Sequence, residues 1–197
     1  MVKIDLSKAL KVLEQGGLVV YPTDTLYALG ADIFSEDAVK KVFKVKKRPL
    51  DVPLPVAVSS FAEIEKIGFV DEKVRLIAEH FLPGQLTLIL NKKDVVPDVV
   101  TSGLDKIAVR IPNNKLALEL LSAFGPLTVT SANIHNMKTP DNVKDIRAQL
   151  RGVDVYLDHG SLEGLPSTIV DMTSIETMVL REGKIKKKEI NDVIRHG

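Results

Sequence analysis

The 197-residue sequence has no cysteine, no tryptophan, only 5% aromatic residues, and almost no excess of either charge, with 27 Lys and Arg against 26 Asp and Glu. Without cysteine there are no disulfides, thiolate metal sites or cysteine nucleophiles, which fits a reducing compartment. A net charge of +1 supplies no global field for holding nucleic acid, so any basic function must be local. Sparse aromatics argue against recognition by base stacking. No apolar run approaches the ~18 residues of a membrane span, and the N-terminal MVKIDLSKALKVLEQGG is amphipathic, so a soluble cytoplasmic protein with no membrane partner is expected. Neither G-x-x-x-x-G-K-[ST] nor G-x-G-x-x-G occurs. His80, His135, His159 and His196 lack the spacing of a zinc site, and a Ser131–His135 nucleophile pair lacks the G-x-S-x-G elbow.

What is present suits one α/β domain over residues 1–197, with 45% hydrophobic residues to fill a core and no dividing linker or repeat. Leu6, Ala9, Leu10 and Leu13 form a helical stripe that Asp5 is placed to cap and Gly16-Gly17 to stop. LVVYP reads as a buried strand leading into a TDTLYALG loop. Ser35 caps a second helix whose inward side is Val39, Val42 and Phe43. Strand PLPVAV, helix DEKVRLIAEHF, strands QLTLIL and IAVRIP, helix KLALELLSAF and strand LTVTS follow. A helix near 141–151, strand VDVYL, a hairpin from STIVDM to TMVLREG and a helix near 189–195 complete the chain. Tandem strands without an intervening helix predict a twisted sheet of mixed parallel and antiparallel strands with flanking helices.

The densest charge is Lys40, Lys41, Lys44, Lys46, Lys47 and Arg48, followed at once by Pro49. Cations near a helix C-terminus gain about 0.3–1 kcal/mol each from the dipole, which accounts for the first three. Pro49 stops the helix and turns Lys46 and Arg48 off its end, so these two are read either as structural or as an anion-binding wall. VTSANIHNMKTP places Thr130, Ser131 and Asn133 where the chain leaves a strand, an ordinary turn composition by itself. PTDT and PSTIVD repeat the pattern, as a site for a small polar ligand requires. Arg110 and Arg181 each have two readings, a structural ion pair or a bidentate hold on a carboxylate.

Seven segments, GGLVVYPTDTLYALGAD, KVKKRP, PGQLTLIL, AVRIP, TSAN, PSTIVDMT and LREG, occur in an order that resembles the YrdC-like family, over nearly the whole chain. The resemblance implies an α/β fold around a positively charged concave site, here without an additional C-terminal domain. It implies a nucleotidyltransferase that converts L-threonine, bicarbonate and ATP to threonylcarbamoyl-AMP and pyrophosphate, for threonylcarbamoyladenosine in tRNA. A separate transferase would take the product. The K-x-R…S-x-N signature falls on Lys46, Arg48, Ser131 and Asn133, which would be catalytic. Arg48, Ser131, Thr139 and Arg181 would bind ATP with Mg2+ on its phosphates, and Thr25, Arg110 and Ser167 or Thr168 would bind threonine. No protein metal site is implied. Three positions depart from the pattern: Val52 stands where an asparagine is common, Ala57 where a histidine is common, and Gln85 where a proline is usual. The alternatives are a module binding double-stranded RNA or tRNA, through Lys40 to Arg48 and Lys184, Lys186, Lys187 and Lys188, or a paralogue with an altered substrate.

Overall fold

The computed structural model describes residues 6–196. The chain opens with α1 (Ser7–Glu14), β1 (Val19–Tyr21), β2 (Ala28–Gly30), α2 (Glu36–Lys46) and β3 (Val56–Ala57). Next come α3 (Phe61–Ile67), α4 (Glu72–Phe81), β4 (Leu86–Asn91), α5 (Asp98–Thr101), β5 (Lys106–Arg110) and α6 (Lys115–Phe124). The last part contains β6 (Leu127–Thr128), β7 (Thr130–Ser131), α7 (Val143–Gln149), β8 (Val155–Tyr156), β9 (Thr168–Asp171), β10 (Met178–Arg181) and α8 (Lys187–His196). The expected Asp5 cap lies outside the described residues. Among the described residues no helix is long and apolar enough to cross a membrane.

The strands divide between two mixed sheets, ordered β7-β2-β1-β8 and β10-β9-β4-β5-β3-β6. TDTLYALG, expected as a loop, ends in β2, which pairs antiparallel with β1. LTVTS, expected as one strand, is two: β6 pairs with β3 in the larger sheet and β7 with β2 in the smaller, with Val129 between them. The short α3 and α5, of seven and four residues, were not among the expected helices.

β1 is buried on both faces, as its apolar run requires: Val20 enters a core with α2, α4 and β4, while Val19 and Tyr21 pack with Ala9, Leu13, Leu120 and Leu121. Full burial of each such aliphatic side chain contributes about 1.5–3 kcal/mol. The larger sheet is different. Leu86, Leu88, Leu90, Ile107, Val109 and Val170 are buried in the core, whereas the residues between them, Thr87, Ile89, Ala108, Arg110, Ile169 and Asp171, face a cavity. The period of two along β4, β5 and β9 therefore builds the core and the floor of a site on opposite faces of one sheet.

Candidate functional site

The cavity has a volume of about 560 Å³. Its floor is the open face of the six-stranded sheet, and its rim comes from the loops after β1, α2, β7 and β8. Arg48, Lys106, Arg110 and Arg181 line it, and Asp171 is the only carboxylate among the described lining residues. Lys106 pairs with that carboxylate at 3.1 Å.

Local folding at the end of α2 decides how Lys46 and Arg48 are presented. Ser35 Oγ accepts the Ala38 amide at the helix start, and Glu36 and Asp37 occupy the first turn, both suited to the positive end of the dipole. At the other end Lys47 takes a left-handed conformation, φ 50°, with its amide on Lys44 O and that of Arg48 on Phe43 O. This turn separates its neighbours. Lys46 is buried, 1% exposed, and its Nζ donates to Ser131 O at 2.5 Å, Asn133 O at 2.7 Å and Asn133 Oδ1 at 3.1 Å. It stands behind the Ser131–Asn133 segment and does not line the cavity. Burial, reinforced by the neighbouring Arg48 cation, pulls the Lys46 ammonium down to about 7. Arg48 reaches the cavity, anchored by Nε to Val52 O at 2.9 Å and by Nη2 to Pro53 O at 2.7 Å.

Ser131 Oγ donates to Asn133 Oδ1 at 2.6 Å, and Asn133 Nδ2 donates to Met137 O. Ser131 and Thr139 line the cavity, while Asn133 is buried behind it. His135 places Nδ1 3.5 Å from Arg48 Nη1, so its ring faces the guanidinium. Elsewhere in the lining Arg110 Nη1 donates to Thr25 Oγ1 at 3.1 Å, and Arg110 Nη2 pairs with Asp24 Oδ1 at 2.6 Å. Arg181 donates from Nε and Nη2 to Ser167 O at 3.0 and 2.8 Å, and Thr87 and Ser167 share a hydroxyl bond of 2.8 Å. Of the two hydroxyls expected there, Ser167 lines the cavity. Thr168 points to the other face, donating to Ile185 O at 2.7 Å and accepting the Gly183 amide. The strand alternation that placed Asp171 in the cavity forces this split.

The expected site residues thus gather at one cavity, with Lys46, Asn133 and Thr168 set outside its lining. Val52 also lines it and supplies its carbonyl to Arg48, whereas Ala57 is buried in β3. Sequence reasoning missed Lys106, Asp171 and Asp24. The first two could have been found from Arg110 and Ser167 by counting in twos along their strands. Of the lysines invoked for RNA binding, Lys40 pairs with Glu36, Lys41 donates to Gly16 O, and Lys186 pairs with Glu182.

The Sua5/YciO/YrdC family model, described as "Telomere recombination", matches residues 11–183. The chain belongs to this family. It is 38% identical over 186 residues to the threonylcarbamoyl-AMP synthase of Pyrococcus abyssi, covering 92% of this chain and 55% of that protein. It is 39% identical over 177 residues to a putative threonylcarbamoyl-AMP synthase of Methanocaldococcus jannaschii, covering 89% of this chain and 84% of that one. The crystal structure of P. abyssi Sua5 complexed with L-threonine superposes with a TM-score of 0.90 at 37% identity, over 94% of this chain and 56% of that one. The chain therefore spans little more than half of the Pyrococcus relative, and the match confirms a mixed α/β domain of the Sua5/YciO/YrdC type.

Proposed function

We propose that this Sua5/YciO/YrdC domain makes threonylcarbamoyl-AMP and pyrophosphate from L-threonine, bicarbonate and ATP. The observation that carries this reading is the presence of two different polar sets in the lining of one cavity: Thr25, Arg110 and Ser167 in one, Arg48, Ser131 and Thr139 in the other. The first set offers hydroxyls and a guanidinium, suited to a small hydroxy amino acid. The second offers a cation and hydroxyls, suited to phosphate. Arg181 lies on β10 beside Ser167 and would act where the two ligands meet. A Sua5 protein that superposes closely was crystallised with L-threonine, which supports the amino-acid assignment.

In the proposed reaction the threonine amine and bicarbonate give a carbamate and water. A carbamate oxygen then attacks the α-phosphorus, and the bond to pyrophosphate breaks. The protein supplies no nucleophile, and Ser131 Oγ is already held by Asn133. Its part is to align the two reactants and to stabilise charge on the phosphorane and the departing pyrophosphate, with Arg48 as the cation already fixed in place. Among the described residues no group of three or more histidine or acidic side chains is placed to hold a metal, so magnesium would arrive on the triphosphate. The product is a mixed anhydride, which calls for a group-transfer enzyme that delivers its threonylcarbamoyl group to tRNA.

The test is pyrophosphate release from ATP and bicarbonate with L-threonine, L-serine or no amino acid, with mass detection of the adenylate. Threonine-dependent release with the adenylate present supports the reading and makes Val52 and Ala57 tolerated departures. Serine preference would point to an altered substrate, and no release with any amino acid would sink the synthase assignment.

The segment between β8 and β9 provides a further prediction. A Cβ on Gly164 would lie 2.1 Å from Thr25 O and 2.8 Å from Thr25 C, a clash with backbone that no rotamer relieves. Gly164→Ala is expected to push this exposed segment off the Thr25 turn. Calorimetry should show L-threonine affinity falling about tenfold, or 1.4 kcal/mol, with the melting temperature nearly unchanged.

A further inference from the structure

Behind the Arg110 and Thr25 set proposed for the amino acid stands a largely buried carboxylate, Asp24, outside the cavity lining. The Asp24 side chain is 10% exposed and the Arg110 side chain 5%. Asp24 Oδ1 takes Arg110 Nη2 at 2.6 Å, and the same nitrogen donates to Gly84 O at 3.0 Å, which leaves Nη1 directed at Thr25 Oγ1. The backbone that carries Asp24 is held in turn. Gln85 Nε2 donates to Asp24 O at 2.7 Å, and the Gln85 carbonyl accepts the Thr168 amide at 3.0 Å from β9. One bonded path thus runs from β9 through Gln85 and Asp24 to Arg110 and Thr25.

Stability does not explain this path. Asp24 Oδ2 and Arg110 Nε are buried without a hydrogen-bond partner among the described residues. A buried ion pair is weak evidence of stabilisation even when fully bonded, and each unpaired polar atom counts against it. What the pair does achieve is orientation, because a guanidinium whose Nη2 is held on two acceptors cannot rotate Nη1 away from Thr25. Gln85 supplies a donor that the proline usual at this position would lack.

Resting on the reading of this set as an amino-acid site, we propose that Asp24 and Gln85 are positioning residues for Arg110. Asp24 fixes the guanidinium edge, and Gln85 fixes the turn that carries Asp24. Neither lines the cavity, so both act through Arg110 and Thr25.

The experiment uses the full chain carrying Gln85→Ala or Asp24→Asn, with the Arg110 Nε–Hε NMR signal assigned by its disappearance in Arg110→Lys. Without ligand, hydrogen exchange at this signal should be about tenfold faster in either variant than in the parent chain. Affinity for L-threonine by calorimetry should weaken about tenfold, equivalent to 1.4 kcal/mol, with ATP affinity unchanged. Gln85→Ala removes no buried charge and keeps the test decisive if Asp24→Asn fails to fold. Parent-like exchange and threonine affinity in Gln85→Ala would overturn the proposal. Faster Arg110 exchange in variants of a chain that binds no threonine would leave the positioning intact and reject the amino-acid reading alone.

Discussion

Arg48→Ala is expected to lower pyrophosphate release by about 10²–10³-fold, the usual loss when a preorganised charge is removed from a transition state. The preorganisation is visible: two carbonyls, Val52 O and Pro53 O, hold Nε and Nη2, so one edge of the guanidinium is fixed before any ligand arrives. Arg48→Lys should recover little of the activity, because an ammonium cannot hold two carbonyls and still present a second edge. Arg48 is only half-buried, so the alanine variant should keep the parent's circular dichroism. Steady-state kinetics decide the matter. A parent-like rate in Arg48→Ala would remove Arg48 from the chemistry.

Lys46→Met is expected to cost as much, about 10²–10³-fold in turnover, by a different route. Lys46 touches three oxygens of the Ser131–Asn133 segment, so its loss frees the wall that carries Ser131. A pH signature separates this role from direct contact. Lys46 has an ordinary value of 10.5 in the unfolded chain and about 7 in the fold. Below 7 both states hold the proton and the Lys46 contribution to stability is flat. From 7 to 10.5 the unfolded state binds more protons, so the stability attributable to Lys46 rises with pH. Urea unfolding of the parent and Lys46→Met at pH 6 to 9 should therefore show a difference that grows in the parent's favour above pH 7. Turnover should move the other way, since a neutral amine has only two hydrogens for three acceptors. Equal pH slopes in the two proteins would place the Lys46 ionisation elsewhere.

The contrast between these two residues shows where sequence reasoning reaches its limit. Spacing and Pro49 located both cations at the end of a helix, but whether they share a wall depends on one backbone angle, the positive φ at Lys47. No rule of composition selects a lysine for that conformation. The helices were legible where they span enough turns to show a stripe, as α2, α4 and α6 do. Sheet membership was not: LTVTS has the residues of one strand, and only the positions of its partners divide it. At the site, the ordered motifs brought Thr25, Arg48, Arg110, Ser131, Ser167 and Arg181 to one cavity. Asp24 was passed over, and Gln85 was marked only as a departure from the family pattern, because their roles depend on contacts across 86 and 61 residues of sequence.

The division of LTVTS at Val129 also bears on how the chain can change in length. The segment leaves the larger sheet at Thr128 and enters the smaller at Thr130, so a single residue sets the offset between the two. One inserted residue would shift β7 by one register position and turn Thr130 and Ser131 to opposite faces. The segment between β8 and β9 pairs with no strand among the described residues and is held by single bonds, His159 N and Gly160 O on the Tyr27 hydroxyl and Leu162 N on Asp141 O, so an insertion there shifts no register. Among related sequences, length variation should therefore be absent from 127–131 and be tolerated between β8 and β9, whatever substrate each relative uses.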